Sequence, residues 1–204
     1  MREMNQPSDS LLIEQVRDGD RAALGQLLEM HQNRLFSIAL RMVSNRDDAA
    51  EVTQDAMLKI IQHIETFRSE AQITTWMTRI VMNQAITRLR RRKLRDHASL
   101  DSTRTTHSDS DQASSLRKVL EDHREPGPEQ RVQEGEMIDQ LLSAIDRLDT
   151  DFKAVLVLRD LEEMDYQQIA DTLEIKVGTV KSRLFRARLA LRQEMQKIAP
   201  APAN

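Results

Sequence analysis

The stretch VGTVKSRLFRAR, residues 177–188, supplies residue types that recognise nucleic acid without covalent chemistry. Guanidinium, ammonium and hydroxyl groups donate to phosphate oxygens and base edges, and a helix presenting them can enter a major groove. With Val180 at zero and about 100° per residue, Val177, Val180, Leu184, Ala187 and Leu191 fall on one side as a core stripe. Thr179, Lys181, Ser182, Phe185 and Arg186 fall opposite, with Arg183 at the margin. Gly178 suits close approach to a partner. The commoner fate of a basic run is a solvated face. Three features favour a helix-turn-helix that reads DNA: a capped helix before the stretch, the short turn EIK, and an exposed Phe185 for which a merely solvating surface has little use. Phe185 itself fits either packing on a neighbour or touching DNA.

Two further groupings could do chemistry of the same non-covalent kind. Arg79, Asn83, Thr87 and Arg90 follow one another at i, i+4, i+8 and i+11 and lead into RLRRRKLR, residues 88–95, in which six of eight residues are basic. The Asn83 amide can recognise a base edge while the arginines neutralise nearby phosphates, although simple exposure is the plainer fate of a helical Asn. Asp47, Glu51 and Asp55 stand at i, i+4 and i+8 with Asp48 beside them. The helix dipole explains acids in a first turn, but Asp55 lies beyond it. This acidic edge points to a second partner, basic and proteinaceous.

The elements that must position these residues are all helical. Met, Leu, Gln, Glu and Arg are abundant, aromatics make up 3%, and Gly and Pro number five each. Apolar residues recur at three and four through residues 11–43, with DGD as a break. A second pattern sets Ala49, Val52, Ala56, Ile60 and Ile64 on one stripe, and a third begins near Thr74 or Thr75. The third has two apolar faces, Ile73, Trp76 and Met77 beside Ile80, then Met82, Ala85, Ile86 and Leu89 broadly opposite; Trp76 reads as core. From 96 to 133 the chain is rich in Ser, Thr, Asp and Glu, with PGP at 126–128, and reads as a flexible acidic linker. Its one periodic stretch is SSLRKVLEDH, a candidate short helix.

Helical order resumes near Glu134, with Ile138, Leu141, Leu142, Ile145 and Leu148 on one face. DFKAVLVLRDL follows as an almost wholly apolar, central helix, and Asp165 with Gln168 forms a capping box opening YQQIADTL. The chain is therefore expected to be all-α, with two small helical domains at 9–95 and 134–198. No apolar run approaches the ~20 residues of a spanning helix, and MREMNQPSDS lacks the core of a signal peptide. A cytoplasmic protein without membrane insertion is expected. With no cysteine and five scattered histidines, neither metal nor cofactor is expected.

The residues 45–93, NRDDAAEVTQDAMLKIIQHIETFRSEAQITTWMTRIVMNQAITRLRRRK, resemble region 2 of bacterial sigma factors of the extracytoplasmic-function group. Residues 141–193, LLSAIDRLDTDFKAVLVLRDLEEMDYQQIADTLEIKVGTVKSRLFRARLALRQ, resemble region 4 of the same family. The resemblance covers most of the chain outside the linker. It implies a protein that binds core RNA polymerase and directs promoter-specific initiation. Asp47, Asp48, Glu51, Gln54 and Asp55 would grip the clamp helices of the β′ subunit, and the β flap would be a further polymerase contact. Phe67, Arg79, Asn83, Thr87 and Arg90 would face the minus-ten element, with Asn83 and the loop from Phe67 to Gln72 holding a base flipped from the non-template strand. Thr179, Lys181, Ser182, Arg183 and Arg186 would read the minus-thirty-five element. An anti-sigma factor is a further implied partner, and no small-molecule substrate is.

This family would also reconcile DNA reading with a net charge of −3, because the polymerase supplies most of the electrostatic attachment. A linker of ~40 residues has a coil dimension of ~35 Å and a full reach of ~130 Å, enough for two duplex turns at ~70 Å. TTWMTRI departs from the family in offering few aromatics for strand stacking, so strand opening would rest on base capture. The main rival is a stand-alone helix-turn-helix regulator, but no dimer seam or effector pocket is evident. An enzyme is weaker still: there is no phosphate-cradling Gly loop, no Cys/His pair and no metal-ligand spacing.

Overall fold

The computed structural model describes residues 8–67, 72–99 and 140–198, and every regular element among them is helical. The first module comprises α1 (Asp9–Arg17), α2 (Arg21–Val43), α3 (Arg46–His63), a 3-10 turn at Ile64–Thr66 and α4 (Ile73–Ser99). The second comprises α5 (residues 140–146), α6 (Thr150–Leu156) running into a π turn at Val157–Leu161, α7 (Tyr166–Leu173) and α8 (Val177–Ile198). α4 extends four residues past the expected domain boundary at 95. The rest of the expected linker, with SSLRKVLEDH, and the expected start of the second module at 134–139 lie outside the described residues.

Local chemistry accounts for the breaks. Gly19 takes φ +90°, which a side chain would resist, and lets DGD turn the chain between α1 and α2. Asp20 then caps α2 by accepting from the Ala22 and Ala23 amides, and Asn45 caps α3 by accepting from the Asp48 amide. The Asp165 box forms as expected: its carboxylate accepts from the Gln168 amide at 2.8 Å, and the Gln168 side chain accepts from the Asp165 amide at 2.9 Å. Asp165→Ala is expected to cost about 1 kcal/mol of stability, read as a lower urea midpoint with unchanged slope.

The expected stripe of α3 is the buried one, with Ala49, Val52, Ala56, Ile60 and Ile64 all in the core. On α8, Val180, Leu184 and Ala187 are buried, and Val177 and Leu191 pack at the edge of the same core. The two-faced pattern of α4 has a tertiary cause: the helix touches α2 and α3 on the way through its own module and also α6 and α7 of the other. Hence Met77, Thr78, Val81, Met82 and Ala85 are all buried, more of the circumference than one packing face would cover.

DFKAVLVLRDL departs from one regular helix. Its last five residues form a π turn, closed by the Glu162 amide donating to the Val157 carbonyl at 3.0 Å. The widened turn presents the Leu161 carbonyl to Arg41 of α2 at 3.4 Å. Buried residues of both modules form one continuous apolar cluster.

Candidate nucleic-acid and protein-binding surfaces

The second module holds a helix-turn-helix made of α7 and α8. Glu174 ends α7 in the left-handed region at φ 55°, where its amide donates to the Ala170 carbonyl, and the Ile175 amide donates to the same carbonyl at 3.0 Å. This turn aims α8 away from α7 and leaves Lys181, Ser182 and Arg186 exposed, with Thr179 and Arg183 half-buried beside them. Arg186 has no side-chain partner among the described residues. Arg183 is ion-paired with Asp151 at 2.7 Å. The Tyr166 ring lies between the Arg159 guanidinium, 5.2 Å from its centroid, and the Lys181 ammonium at 5.9 Å. Phe185 is 73% exposed, so among the described residues nothing covers it. A Cβ added at Gly178 would meet no atom within 4 Å, so the start of α8 is open to an approaching partner.

On α4 the ridge of Arg79, Asn83, Thr87 and Arg90 is exposed throughout. The Thr87 hydroxyl donates to the Asn83 carbonyl at 2.7 Å, leaving the Asn83 amide group as the polar head between two arginines. Phe67 sits differently from the base-contacting position that the resemblance implies. It is buried, its ring 5.4 Å from that of Trp76, because the 3-10 turn after α3 directs it inward onto the α4 start. It lines a cleft of about 660 Å³ together with Asp9, Ile13, Arg17, Gln72 and Thr74. Residues 68–71 of the same loop lie outside the described residues.

The acidic edge of α3 divides into two. Asp47, Gln54 and Asp55 are exposed and have no side-chain partner among the described residues. Asp48 and Glu51 instead hold Arg88 of α4, whose Nε is 3.1 Å from Asp48 and whose Nη1 is 2.7 Å from Glu51. The hydrogen bond to Asp48 is the main cause of an Arg88 pKa above the ordinary arginine value. Forty positions separate Arg88 from Asp48, and no local pattern links them. The ridge also continues into exposed Leu58 and Ile61, which lie at i+4 from Gln54 and i+3 from Leu58. Their place off the apolar stripe of α3 was the available signal for an interface.

Comparison with known proteins bears on what these surfaces serve. Sigma-70 region 2 is matched over residues 27–95 and sigma-70 region 4 over 138–191. The ECF RNA polymerase sigma-E factor of Haemophilus influenzae is 32% identical over 193 residues, which span 95% of this chain and 98% of that protein. The chain belongs to the ECF RNA polymerase sigma factors. The RNA polymerase sigma-H factor of Pseudomonas aeruginosa is 30% identical across 96% of this chain and 97% of its own length. The fold is shared with CnrH, solved in complex with the cytosolic domain of CnrY, at TM-score 0.60 and 21% identity over 94% of this chain and 99% of that one. It is shared also with sigma factor RpoE of Bartonella quintana, solved in complex with the anti-sigma factor NepR, at TM-score 0.61 and 20% identity over 86% and 98% of the two chains.

In this sigma factor the two modules meet along a charged seam. Arg34 and Arg41 of α2 converge on Glu162, at 3.4 Å and 2.5 Å, and the Glu162 side chain is only 7% exposed. Arg79 pairs with Glu174, Arg90 with Asp151 at 3.3 Å, and Lys93 with Asp149 at 3.4 Å. In each of these pairs the cation comes from the first module and the carboxylate from the second. The Asp149 pKa is held below the usual carboxylate range, first by the Asp151 amide that it caps and then by Lys93 and Arg183. Behind the pairs, Lys153 is buried with its ammonium 2.5 Å from Asp146 and 2.8 Å from the hydroxyl of Ser44 at the end of α2. Burial pushes the Lys153 pKa down, against the opposing pull of Asp146. None of Glu162, Asp146, Lys153 or Glu174 was singled out from the sequence, because each acquires its role from a partner in another element. Among the described residues no group of His and carboxylate side chains could hold a metal ion, and no helix is long and apolar enough to cross a membrane.

Proposed function

We propose that this sigma factor joins core RNA polymerase in the cytoplasm and directs it to promoters, with no catalytic activity of its own. The α8 face carries Thr179, Lys181, Ser182, Arg183 and Arg186 into the major groove of the minus-thirty-five element. The α4 ridge of Arg79, Asn83, Thr87 and Arg90 faces the minus-ten element, where Asn83 and the Phe67–Gln72 loop capture a flipped base. Phe67 would contribute there either as the floor of the cleft or by turning outward from Trp76. Asp47, Gln54 and Asp55 form the open part of the surface for the β′ clamp helices, and Asp48 and Glu51 join it beside Arg88. The β flap is a second polymerase contact for region 4, and an anti-sigma factor is the expected inhibitor, in keeping with the complex of Bartonella quintana RpoE with the anti-sigma factor NepR.

The observation that carries this reading is the pairing, in one chain of net charge −3, of two exposed cationic ridges on separate modules with an acidic ridge on the opposite chemistry. A chain so weakly charged cannot hold duplex DNA by bulk attraction, so its readers need a larger machine. In vitro transcription by core polymerase on genomic fragments tests it. Supplementing core enzyme with the chain is expected to create start sites that core enzyme alone lacks, and no new start sites would refute it.

Arg186 offers a finer test because it is exposed and unengaged. Arg186→Ala is expected to cost about 1–3 kcal/mol of discrimination at one position of the upstream element. Competition between promoter variants measures this, and an equal loss on all sequences would reassign Arg186 to a phosphate.

A further inference from the structure

The seam does more than join two modules, because the cations it occupies include those assigned to DNA. Asp151 is the centre of it. One carboxylate oxygen is 3.3 Å from Arg90 of the α4 ridge, and the other is 2.7 Å from Arg183 of the α8 face. Glu174 takes Arg79 and Asp149 takes Lys93. We infer that Asp149, Asp151 and Glu174 act as an internal surrogate for DNA phosphate, latching the free sigma factor closed with cations of both DNA-reading ridges held on its own carboxylates. The inference rests on the assignment of Arg79, Arg90 and Arg183 made above.

Three physical points carry it. A carboxylate with one guanidinium group against each of its oxygens meets the arginines as a phosphate would, two anionic oxygens each facing a cation. Arg90 and Arg183, clasping one carboxylate, cannot at the same time serve elements two duplex turns, ~70 Å, apart, so promoter reading requires the seam to part. The outer pairs are also exposed enough to part: the side chains of Arg79, Arg90 and Lys93 are 44%, 65% and 52% exposed, so salt and competing anions reach them. The deeper contacts, Glu162 with Arg41 and Lys153 with Ser44, hold the seam only with the rim in place, so loss of the rim lowers the salt at which the modules part. A seam of this kind makes the isolated chain a poor DNA binder and leaves polymerase, or a polyanion, to open it.

The absence of cysteine makes the test direct. The full chain carrying Glu29→Cys and Gln196→Cys, both exposed and one in each module, is labelled with a donor and acceptor pair. Energy transfer and binding to a mixed-sequence DNA duplex are followed with salt. Three proteins are compared: the unaltered seam, a seam variant with Asp149→Asn, Asp151→Asn and Glu174→Gln, and a charge-matched control with Asp18→Asn, Glu65→Gln and Glu163→Gln. Asn at 149 keeps the cap of α6. The seam variant is expected to lose transfer at salt where the other two retain it. It is also expected to bind duplex about tenfold more tightly than the control, with a salt slope steeper by about four, one for each released cation, Arg79, Arg90, Lys93 and Arg183. Unchanged transfer, or an affinity and slope equal to those of the control, overturns the latch. Transcription by core enzyme with the unaltered chain is scored alongside. Failure to initiate would sink the DNA assignment and the latch with it, whereas normal initiation beside a control-like seam variant would sink the latch alone.

Discussion

Asp47→Lys combined with Asp55→Lys is expected to weaken core polymerase binding by ~100-fold or more, because like charges brought together at an interface cost several kcal/mol. Both carboxylates are exposed and neither has a side-chain partner among the described residues, so the substitution leaves the fold intact. Circular dichroism and the urea midpoint should stay within about 0.5 kcal/mol of the parent. Asp48 is the wrong residue for this test. Reversing it would strand Arg88, whose guanidinium it holds with Glu51, and would mix a folding defect with an interface defect. Co-purification of the double variant with core enzyme at parental yield would remove the acidic ridge from the interface.

The second large effect concerns the seam's interior. Asp146→Ala is expected to cost about 2–3 kcal/mol, since it leaves the buried Lys153 ammonium with the Ser44 hydroxyl as its only polar neighbour of those two. Lys153→Met should cost about 1 kcal/mol or less. Asp146 is 34% exposed and keeps both water and Ser44, while the methionine fills the same space. The asymmetry follows from burial: the same ion pair is lost in each case, but only one variant abandons a charge in a dry site. The pH dependence has a definite sign. Burial lowers the folded pKa of Lys153 below its unfolded value, so the folded chain holds that proton less tightly than the unfolded chain. Stability linked to this group therefore rises as pH climbs from the folded pKa toward the unfolded value of about 10.4. The rise should be larger in Asp146→Ala, which has lost the carboxylate opposing the shift. Urea titrations at about pH 7 and about pH 9.5 measure it. Equal losses for the two variants at both pH values would show that the cost lies in losing the ion pair and not in stranding a buried charge.

Much of the architecture was legible before any coordinates. The α3 stripe, the Asp165 capping box, the DGD break and the apolar side of α8 all depend on neighbours within one or two turns, and those are set by local spacing. The exposure of Lys181, Ser182 and Arg186 followed from the same wheel. Phe67 did not follow. Its burial against Trp76 depends on a 3-10 turn and on the start of α4, and a lone aromatic in a polar loop carries no period from which to read its direction. The two apolar faces of α4 were visible, but their meaning was not, because the second face is covered by α6 and α7 from the far end of the chain.

The amino-acid order by itself determined the helices, their inward faces, the family and the residue types available to DNA and polymerase, because 3.6-residue periodicity and capping are short-range properties. Only the tertiary structure decided which of those charges are spoken for. Arg88 is taken by Asp48, Arg79 by Glu174, and Arg90 and Arg183 share Asp151, pairings across 32 to 95 positions that helical periodicity does not encode. Ion pairs fall off with distance in space and are indifferent to distance along the chain, so the fold selects among the partners that composition merely offers.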